Sequence, residues 1–407
     1  MESTPANLRQ FAPLVWLALG TFATGTESFM IAPLLPGLSA DLSVSVTVAG
    51  QLVTVFALTY ALSSPLLSAA TSGVGRRKLL LASMAGFALA NIVASTATGY
   101  WQLMAARVLL AAAAGLYVPS ASALAGAIVP PARRGTALAI VNGGTSIAIV
   151  LGVPLGAVVG HAFGWRMTFV GVGTLAAISA VGLFAGVPRG VDAGLAAPSM
   201  RERIAVVQQT PILTGLLVTT LWATGAYAIY TYLAPYLTQV AGLEGAQIGL
   251  VLFIWGVAAA TGLFIGGTFN DRFGARAVMV PALLLLAAAF ASLSTSGVLL
   301  SGKAALAPVL LAVIAWGLSA WAFFPAQQAR LMQIAGVRTA PIALSLNASF
   351  MYLGFSLGAM LGSFTLIHAS VTSLGVVGAV CECLALIVVL ATVRRTSASS
   401  QPAAPGR

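Results

Sequence analysis

Twelve apolar stretches, each about 20 to 30 residues long and nearly free of charge, dominate the sequence: 11–36, 46–70, 79–98, 100–129, 135–161, 165–187, 211–238, 246–269, 277–297, 304–329, 338–367 and 370–393. A run of that length forms a helix that crosses the hydrocarbon core of a bilayer. Lipid offers no hydrogen bonds, so only segments that satisfy their own backbone persist there, and each stretch is predicted to be a transmembrane helix. Charged residues make up only 7% of the 407, against roughly 25% in a soluble domain. A water-soluble enzyme or binding module is excluded. The expected fold class is an all-α membrane protein of twelve spans, with the 43 Gly and 19 Pro lying among Leu, Ala and Val, where membrane helices tolerate them.

A net charge of +11 would suggest nucleic acid only if it formed a basic patch on a soluble surface. Here the charges sit between the spans. With Met1 inside, the inner connections and tails hold Arg9, Arg76, Arg77, Lys78, Arg133, Arg134, Arg189, Arg201, Arg203, Arg272, Arg276, Arg330, Arg338, Arg394, Arg395 and Arg407. The outer loops hold only Arg166 and Lys303. This positive-inside pattern predicts both termini in the cytoplasm of a multi-pass protein of the bacterial inner membrane, with no nucleic-acid partner. The first apolar run exceeds the 7 to 15 residues of a signal-peptide core and is expected to be retained.

The longest polar stretch, 188–210, carries Arg189, Asp192, Arg201, Glu202 and Arg203 and reads as a central cytoplasmic linker. It divides the chain into a first six-helix half, 1–187, and a second, 211–395, while the small, polar, Pro-containing tail 396–407 is expected to lack fixed structure. An internal repeat supports the division. Ala23, Thr24 and Gly25 recur as Ala223, Thr224 and Gly225, and the basic loop at Gly75 recurs at Gly274, both at offsets close to 200. Parallel six-helix repeats place a substrate site at their interface near mid-membrane.

The loop after the eighth stretch contains Gly267, Asp271, Arg272, Gly274 and Arg276. It resembles the G-x-x-x-D-R-x-G-x-R signature of the major facilitator superfamily. The first-half counterpart has Ser68, Ser72 and Gly73 at the signature's Gly, Asp and Arg positions and keeps Gly75, Arg76 and Arg77. Further along, GTESFMIAPLLP at 25–36, LGVPLGAVVGHAFGWRMTF at 151–169, YTYLAPYL at 230–237 and SLNASFMYLGFSLGAMLG at 345–362 extend the likeness over essentially the whole chain. They are most similar to bacterial drug and metabolite exporters of the arabinose, purine-nucleoside and chloramphenicol kind. The resemblance implies a major facilitator fold, a small-molecule substrate, protons and the bilayer as partners, a monomer, and a proton gradient as energy source without cofactor or metal. It also implies that the two basic loops latch helices together in the cytoplasm, with the first-half latch weakened by loss of its acidic residue.

In the fifth stretch Gly144, Ala148, Gly152, Gly156 and Gly160 recur every four residues, a small face against which another helix packs closely. With Pro154 inside it, the face resembles an exporter motif taken to seal the halves or set a bend. Plain helix packing is the alternative. In the eleventh stretch, Gly354, Gly358 and Gly362 form a second ridge, read as packing.

Ionisable groups inside spans are costly and are functional candidates by default. Glu27, Arg107 and Glu382 are the three. Counted inward from the outer ends, Glu27 and Arg107 lie at similar depth, close enough to pair, as a proton-coupling site or a structural salt bridge. Glu382 is assigned to the same coupling set, with a protonated structural role as its alternative. Polar stripes at helical spacing should face the interior; they and the aromatics around them nominate Thr24, Asn142, Tyr227, Tyr230, Thr231, Trp316, Asn347, Ser349 and Tyr352 as the substrate cavity. The spans hold no H-E-x-x-H, G-x-S-x-G or phosphate loop, so intramembrane catalysis has no equipment. Cys381 and Cys383 are too few and too close for a disulfide framework or a four-ligand zinc site.

The functional expectation is proton-coupled efflux of a small, largely apolar or cationic drug or metabolite. An importing symporter and a non-transporting receptor or scaffold are the alternatives. The topology is directly testable: a reporter fused after Arg407 or inserted in 190–200 should report cytoplasm, and one near Asp41 or Lys303 the outside.

Overall fold

A computed structural model describes residues 6–130, 133–187 and 198–399, with the side chains of 6–12, 337 and 393–399 left aside. Eleven helices are long and apolar enough to cross a membrane, and a bent pair supplies a twelfth. The first half comprises α1 (Ala6–Phe29), α2 (Ile31–Asp41), α3 (Val46–Ala70), α4 (Arg76–Ser95), α5 (Tyr100–Ala127), α6 (Arg134–Ile147), α7 (Val153–Phe163) and α8 (Trp165–Gly186). A linker helix α9 (Met200–Val207) follows. The second half comprises α10 (Thr210–Tyr230), α11 (Leu233–Ala241), α12 (Ala246–Phe273), α13 (Ala275–Leu299), α14 (Lys303–His368) and α15 (Leu374–Ser399). Large apolar side chains such as Phe264, 76% exposed, and Val181, 70%, cover the outer surface. That surface suits a solvent of acyl chains.

The ends of the spans match the sequence expectation closely, but several spans are not simple rods. The first turns by 53° between α1 and α2. Pro33 has no N–H to give the Phe29 carbonyl, so the helix loses a rung there. The hydroxyl of Tyr230, from the other half, donates to that carbonyl at 3.0 Å. At the matching point of the repeat, the seventh span breaks between Tyr230 and Leu233, two residues ahead of Pro235. The fifth span widens into a π-turn at Ala148–Gly152, where Pro154 removes the bond to Val150. Inside α14, Gly336 adopts φ 72°, a left-handed backbone that glycine takes without strain; it splits the element into Lys303–Gly336 and Arg338–His368.

The two glycine ridges do the same work in the two halves. A Cβ at Gly144 would collide with the Ala18 carbonyl and Thr21, and one at Gly152 or Gly160 with Thr26 or Leu34. The ridge therefore seats α6 and α7 on α1 and α2, within the first half. Gly354, Gly358 and Gly362 lie 202 residues after Gly152, Gly156 and Gly160 and seat α14 on α10, against Thr220, Thr224 and Ala228. The contact between halves also falls on this span, with motif residue Pro154 taking part: Gly256 and Gly249 of α12 lie against the backbone of Ile149, Val150 and Pro154.

The stretch 188–210 is more than a connection. Residues 188–197, including Arg189 and Asp192, lie outside the described residues, but Ser199 and Glu202 form a reciprocal capping box that starts α9. Hydrogen bonds from Ser199 hold the Glu202 carboxyl below the ordinary carboxylate range. From this helix Arg203, 4% exposed, donates to Ser68 of α3 at 3.2 Å and to Ser345 of α14 at 2.8 Å. It straps the two halves at the linker end. At the tail, α15 continues as far as Ser399; 400–407 lie outside the described residues.

Ridge packing gives a test by thermal unfolding in detergent. Gly144→Ala should cost about 1–3 kcal/mol by overpacking. Gly171→Ala, where an added Cβ meets nothing within 4 Å, should be neutral or stabilising by up to about 1 kcal/mol.

Candidate functional site

Just before the bend in the first span, Glu27 is buried at 0% exposure and its Oε1 accepts from Arg107 of α5 at 2.5 Å. Arg107 is equally buried. Its Nε donates to the Leu52 carbonyl of α3 at 3.2 Å, and its guanidinium stacks over Phe56 at 4.0 Å from the ring centroid. One arginine thus ties α1, α3 and α5 together. Glu27 Oε2 and one guanidinium nitrogen, NH2, have no partner among the described residues, so the pair keeps hydrogen-bonding capacity in reserve.

Ser28, the next residue, faces a cavity of about 300 Å³ between the halves. Of the nominated residues, Thr24, Asn142 and Tyr352 line it, together with Tyr60, Trp321 and Gln328. Tyr352 and Ser28 share a hydrogen bond of 3.0 Å across the two halves, and Tyr60 stacks on Tyr352 with centroids 3.7 Å apart. No charged residue lines the cavity. Beyond Trp321 an aromatic chamber follows, with Tyr227, Tyr230 and Trp316 in its wall. Away from the linker the halves are sewn together: Ser356 donates to the Thr54 carbonyl at 3.0 Å and Ser363 to that of Thr47 at 3.4 Å. This seam lies on the side away from the linker, and the cavity reaches toward Gln328 near the linker end.

Three nominated cavity residues are misplaced by the sequence reading. Thr231 donates back to the Tyr227 carbonyl at 2.8 Å. Asn347 accepts from Thr219 at 2.6 Å, in a knot with Gln327 that pins α14 to α10, and Ser349 is buried without a partner and lines neither space. Helical spacing identified an interior face, but on α14 that face is turned partly toward α10 rather than toward the gap between halves. Glu382 also stands apart. It is fully buried on α15 and fills the space beside Gly225 of α10. Neither of its oxygens has a partner among the described residues, and it lines neither space. Beside it Cys381 is buried and Cys383 exposed.

Tyr60, Ser28 and Gln328 were missed. Tyr60 stands outside any polar stripe, alone on the second span, where a lone mid-membrane phenol was signal enough. His161 and His368 lie at helix ends far from the linker; His161 rests against Gly245 across the opposite cleft, and His368 bonds to the Phe364 carbonyl.

The basic loops differ from the latch picture. Gly274 supplies the φ of 82° that the turn between α12 and α13 needs, Gly267 is half-buried, and Asp271, Arg272 and Arg276 are solvent-facing. Asp271 makes no ion pair among the described residues and receives a bond only from neighbouring Asn270. In the first half, where the latch was expected to be weak, Gly75 precedes α4 and Arg76 is buried. Arg77 donates to the carbonyls of Val187 and Phe184 at 2.7 Å each, closing the far end of α8.

A twelve-span bundle in two matched halves, with polar side chains gathered round an internal cavity that reaches toward one end, is the architecture of a membrane transporter. The Major Facilitator Superfamily model matches residues 17–244 and 215–407, and the chain belongs to that family; it is a transporter and not an enzyme. It is 32% identical over 371 residues to the uncharacterised MFS-type transporter YbcL of Bacillus subtilis (strain 168), covering 91% of this chain and 93% of that one. It is 31% identical over 391 residues to the inner membrane transport protein YdhP of Escherichia coli (strain K12), covering 94% and 96%. A chloramphenicol resistance protein of Streptomyces lividans is 34% identical over 276 residues, 67% of this chain and 70% of that one. Among solved structures, a bacterial homologue of the human lysosomal transporter Spinster, inward-facing and occupied, superposes with a TM-score of 0.76 at 18% identity over 97% of this chain and 98% of that one. That likeness supports the fold.

The tethers predict unequal mutants. Arg77→Gln should lower the thermal midpoint in detergent, because it strips two charge-assisted bonds and the stacking on Phe184. Asp271→Asn should leave it within experimental error.

Proposed function

We propose that this chain is a proton-coupled exporter of a small, largely apolar or cationic drug or metabolite. It acts as a monomer in the bacterial inner membrane, with termini and linker in the cytoplasm. Its halves, 1–187 and 211–395, rock about the cavity by alternating access, and the proton gradient drives the cycle without a cofactor. The observation that carries this reading is the buried Glu27–Arg107 pair one residue from the cavity wall. Protonating Glu27 removes its charge and weakens the hold of Arg107 on α1 to the bond with the Glu27 carbonyl, and the Ser28–Tyr352 bond beside it joins the two halves. Proton loading and separation of the halves therefore act on the same few atoms. The names of the Escherichia coli and Streptomyces lividans relatives, an inner membrane transport protein and a chloramphenicol resistance protein, favour this location and direction.

Glu27→Gln tests it. The variant should lose uphill transport driven by a pH gradient in proteoliposomes while keeping downhill exchange. Adding solute to wild type in weak buffer should release protons, and adding it to the variant should not. A purely structural ion pair predicts instead a stability loss of roughly 3–5 kcal/mol from the unpaired Arg107, with the pH dependence of any surviving transport unchanged.

A further inference from the structure

On the lipid-facing side of the second half, a groove of about 230 Å³ opens between α12, α13 and the first part of α14. It exists because α12 and α14 touch backbone to backbone: a Cβ on Gly262 or Gly266 would collide with the carbonyl of Leu318 or Ala322, so neither glycine fills the surface outside the contact. Ala277, Pro281 and Ala282 of α13 are small as well and form the facing wall. The one hydroxyl in the lining, Ser319, is spent on the Ala315 carbonyl of its own helix at 2.6 Å. Nothing in the groove asks for a hydrogen bond.

Its depth suits one leaflet. From Ala277 to Leu285 the α13 wall runs about 12 Å along the helix at 1.5 Å per residue, against about 15 Å for half of the hydrocarbon core. Phe269 stands at the end nearest the turn between α12 and α13. Its ring lies 5.6 Å from that of Phe273, and the Arg272 guanidinium lies over Phe273, 5.2 Å from the centroid. A cation therefore sits at the mouth of an apolar slot. Arg272 is exposed and makes no ion pair among the described residues, and neither do Asp271 and Arg276 beside it, so the turn carries two arginines against one aspartate. In the first half Arg77, the counterpart of Arg276, is spent on the carbonyls of Val187 and Phe184.

A free anion would find exposed arginines and no cage around them, and a plain hydrocarbon would have no use for the charge. A phospholipid joins both in one molecule. The unmatched positive charge of the turn selects a headgroup of net negative charge over a zwitterion. We propose that the groove is a site for an anionic phospholipid of the leaflet on the linker side, with one acyl chain against Gly262, Gly266 and Pro281 and the phosphate on Arg272. The loop that the family signature marks out then anchors the second half to the lipid surface.

The test uses the full-length protein, purified in a neutral maltoside detergent and stripped of lipid, with lipid retention read by native mass spectrometry. The probes are palmitoyl-oleoyl phosphatidylglycerol, the phosphatidylcholine with the same chains, and inorganic phosphate. Phosphatidylglycerol should be retained about fivefold more tightly than phosphatidylcholine. Arg272→Gln should remove that preference and leave phosphatidylcholine unchanged, while Arg201→Gln, at an exposed position on the linker helix, should keep it. Ala277→Leu fills the slot from an exposed position and should weaken both lipids about threefold to tenfold. Millimolar inorganic phosphate should displace neither.

Equal retention of the two lipids, a preference that survives Arg272→Gln or is lost in Arg201→Gln, unchanged retention in Ala277→Leu, or displacement by inorganic phosphate would each overturn the proposal. A dimer that Ala277→Leu dissolves would assign the groove to a second copy of the chain instead. If a variant fails to fold, the two lipids and phosphate on wild type decide. None of these readings involves transport, so the lipid site stands or falls apart from proton-coupled export.

Discussion

Inside the membrane every polar group must find its partner within the protein, and the working parts of this structure follow from how that requirement is met or left unmet. Where a proline deprives a helix of one rung, the freed carbonyl must be answered. At Phe29 the answer comes from the other half, through Tyr230. A helix defect in one half thereby becomes a joint between the two. Serine hydroxyls that bond to carbonyls at Thr47 and Thr54 continue the same seam. These bonds are few and individually modest, worth about 0.5–1.5 kcal/mol each.

Contrast that seam with the glycine ridges. At Gly144 against α1 and at Gly354 and Gly358 against α10 the helix backbones lie so close that a methyl group has no room, and Gly256 of α12 meets the backbone of Ile149 and Val150 across the halves in the same way. The Arg203 strap adds a contact of a third kind at the linker end, joining Ser68 to Ser345 from a helix that belongs to neither half.

At the Glu27–Arg107 pair one carboxylate oxygen and one guanidinium nitrogen have no partner among the described residues. Glu382 has two spare oxygens as well, but it sits behind α10 against Gly225, away from both spaces. Burial alone therefore does not identify the site. Proximity to the cavity is what separates Glu27 from Glu382.

Length and hydropathy alone determined the twelve spans, because crossing a bilayer demands some 20 apolar residues whatever the neighbours are. The period-four glycines declared close packing, and the depth of Glu27 and Arg107 declared that they could meet. What the sequence did not hold was azimuth. Asn347 and Ser349 fall on an interior face of α14, yet whether that face meets α10 or the gap between halves depends on how the helices are rotated against one another. The same holds for the basic loops: the acidic residue that the family signature marks out, Asp271, points to solvent, while Arg77 finds the end of α8 only because α4 and α8 pack side by side. A one-dimensional pattern fixes how deep a residue lies and whether it prefers the inside. Which partner it meets there is settled by packing between helices far apart in the chain, and so only the tertiary structure decided it.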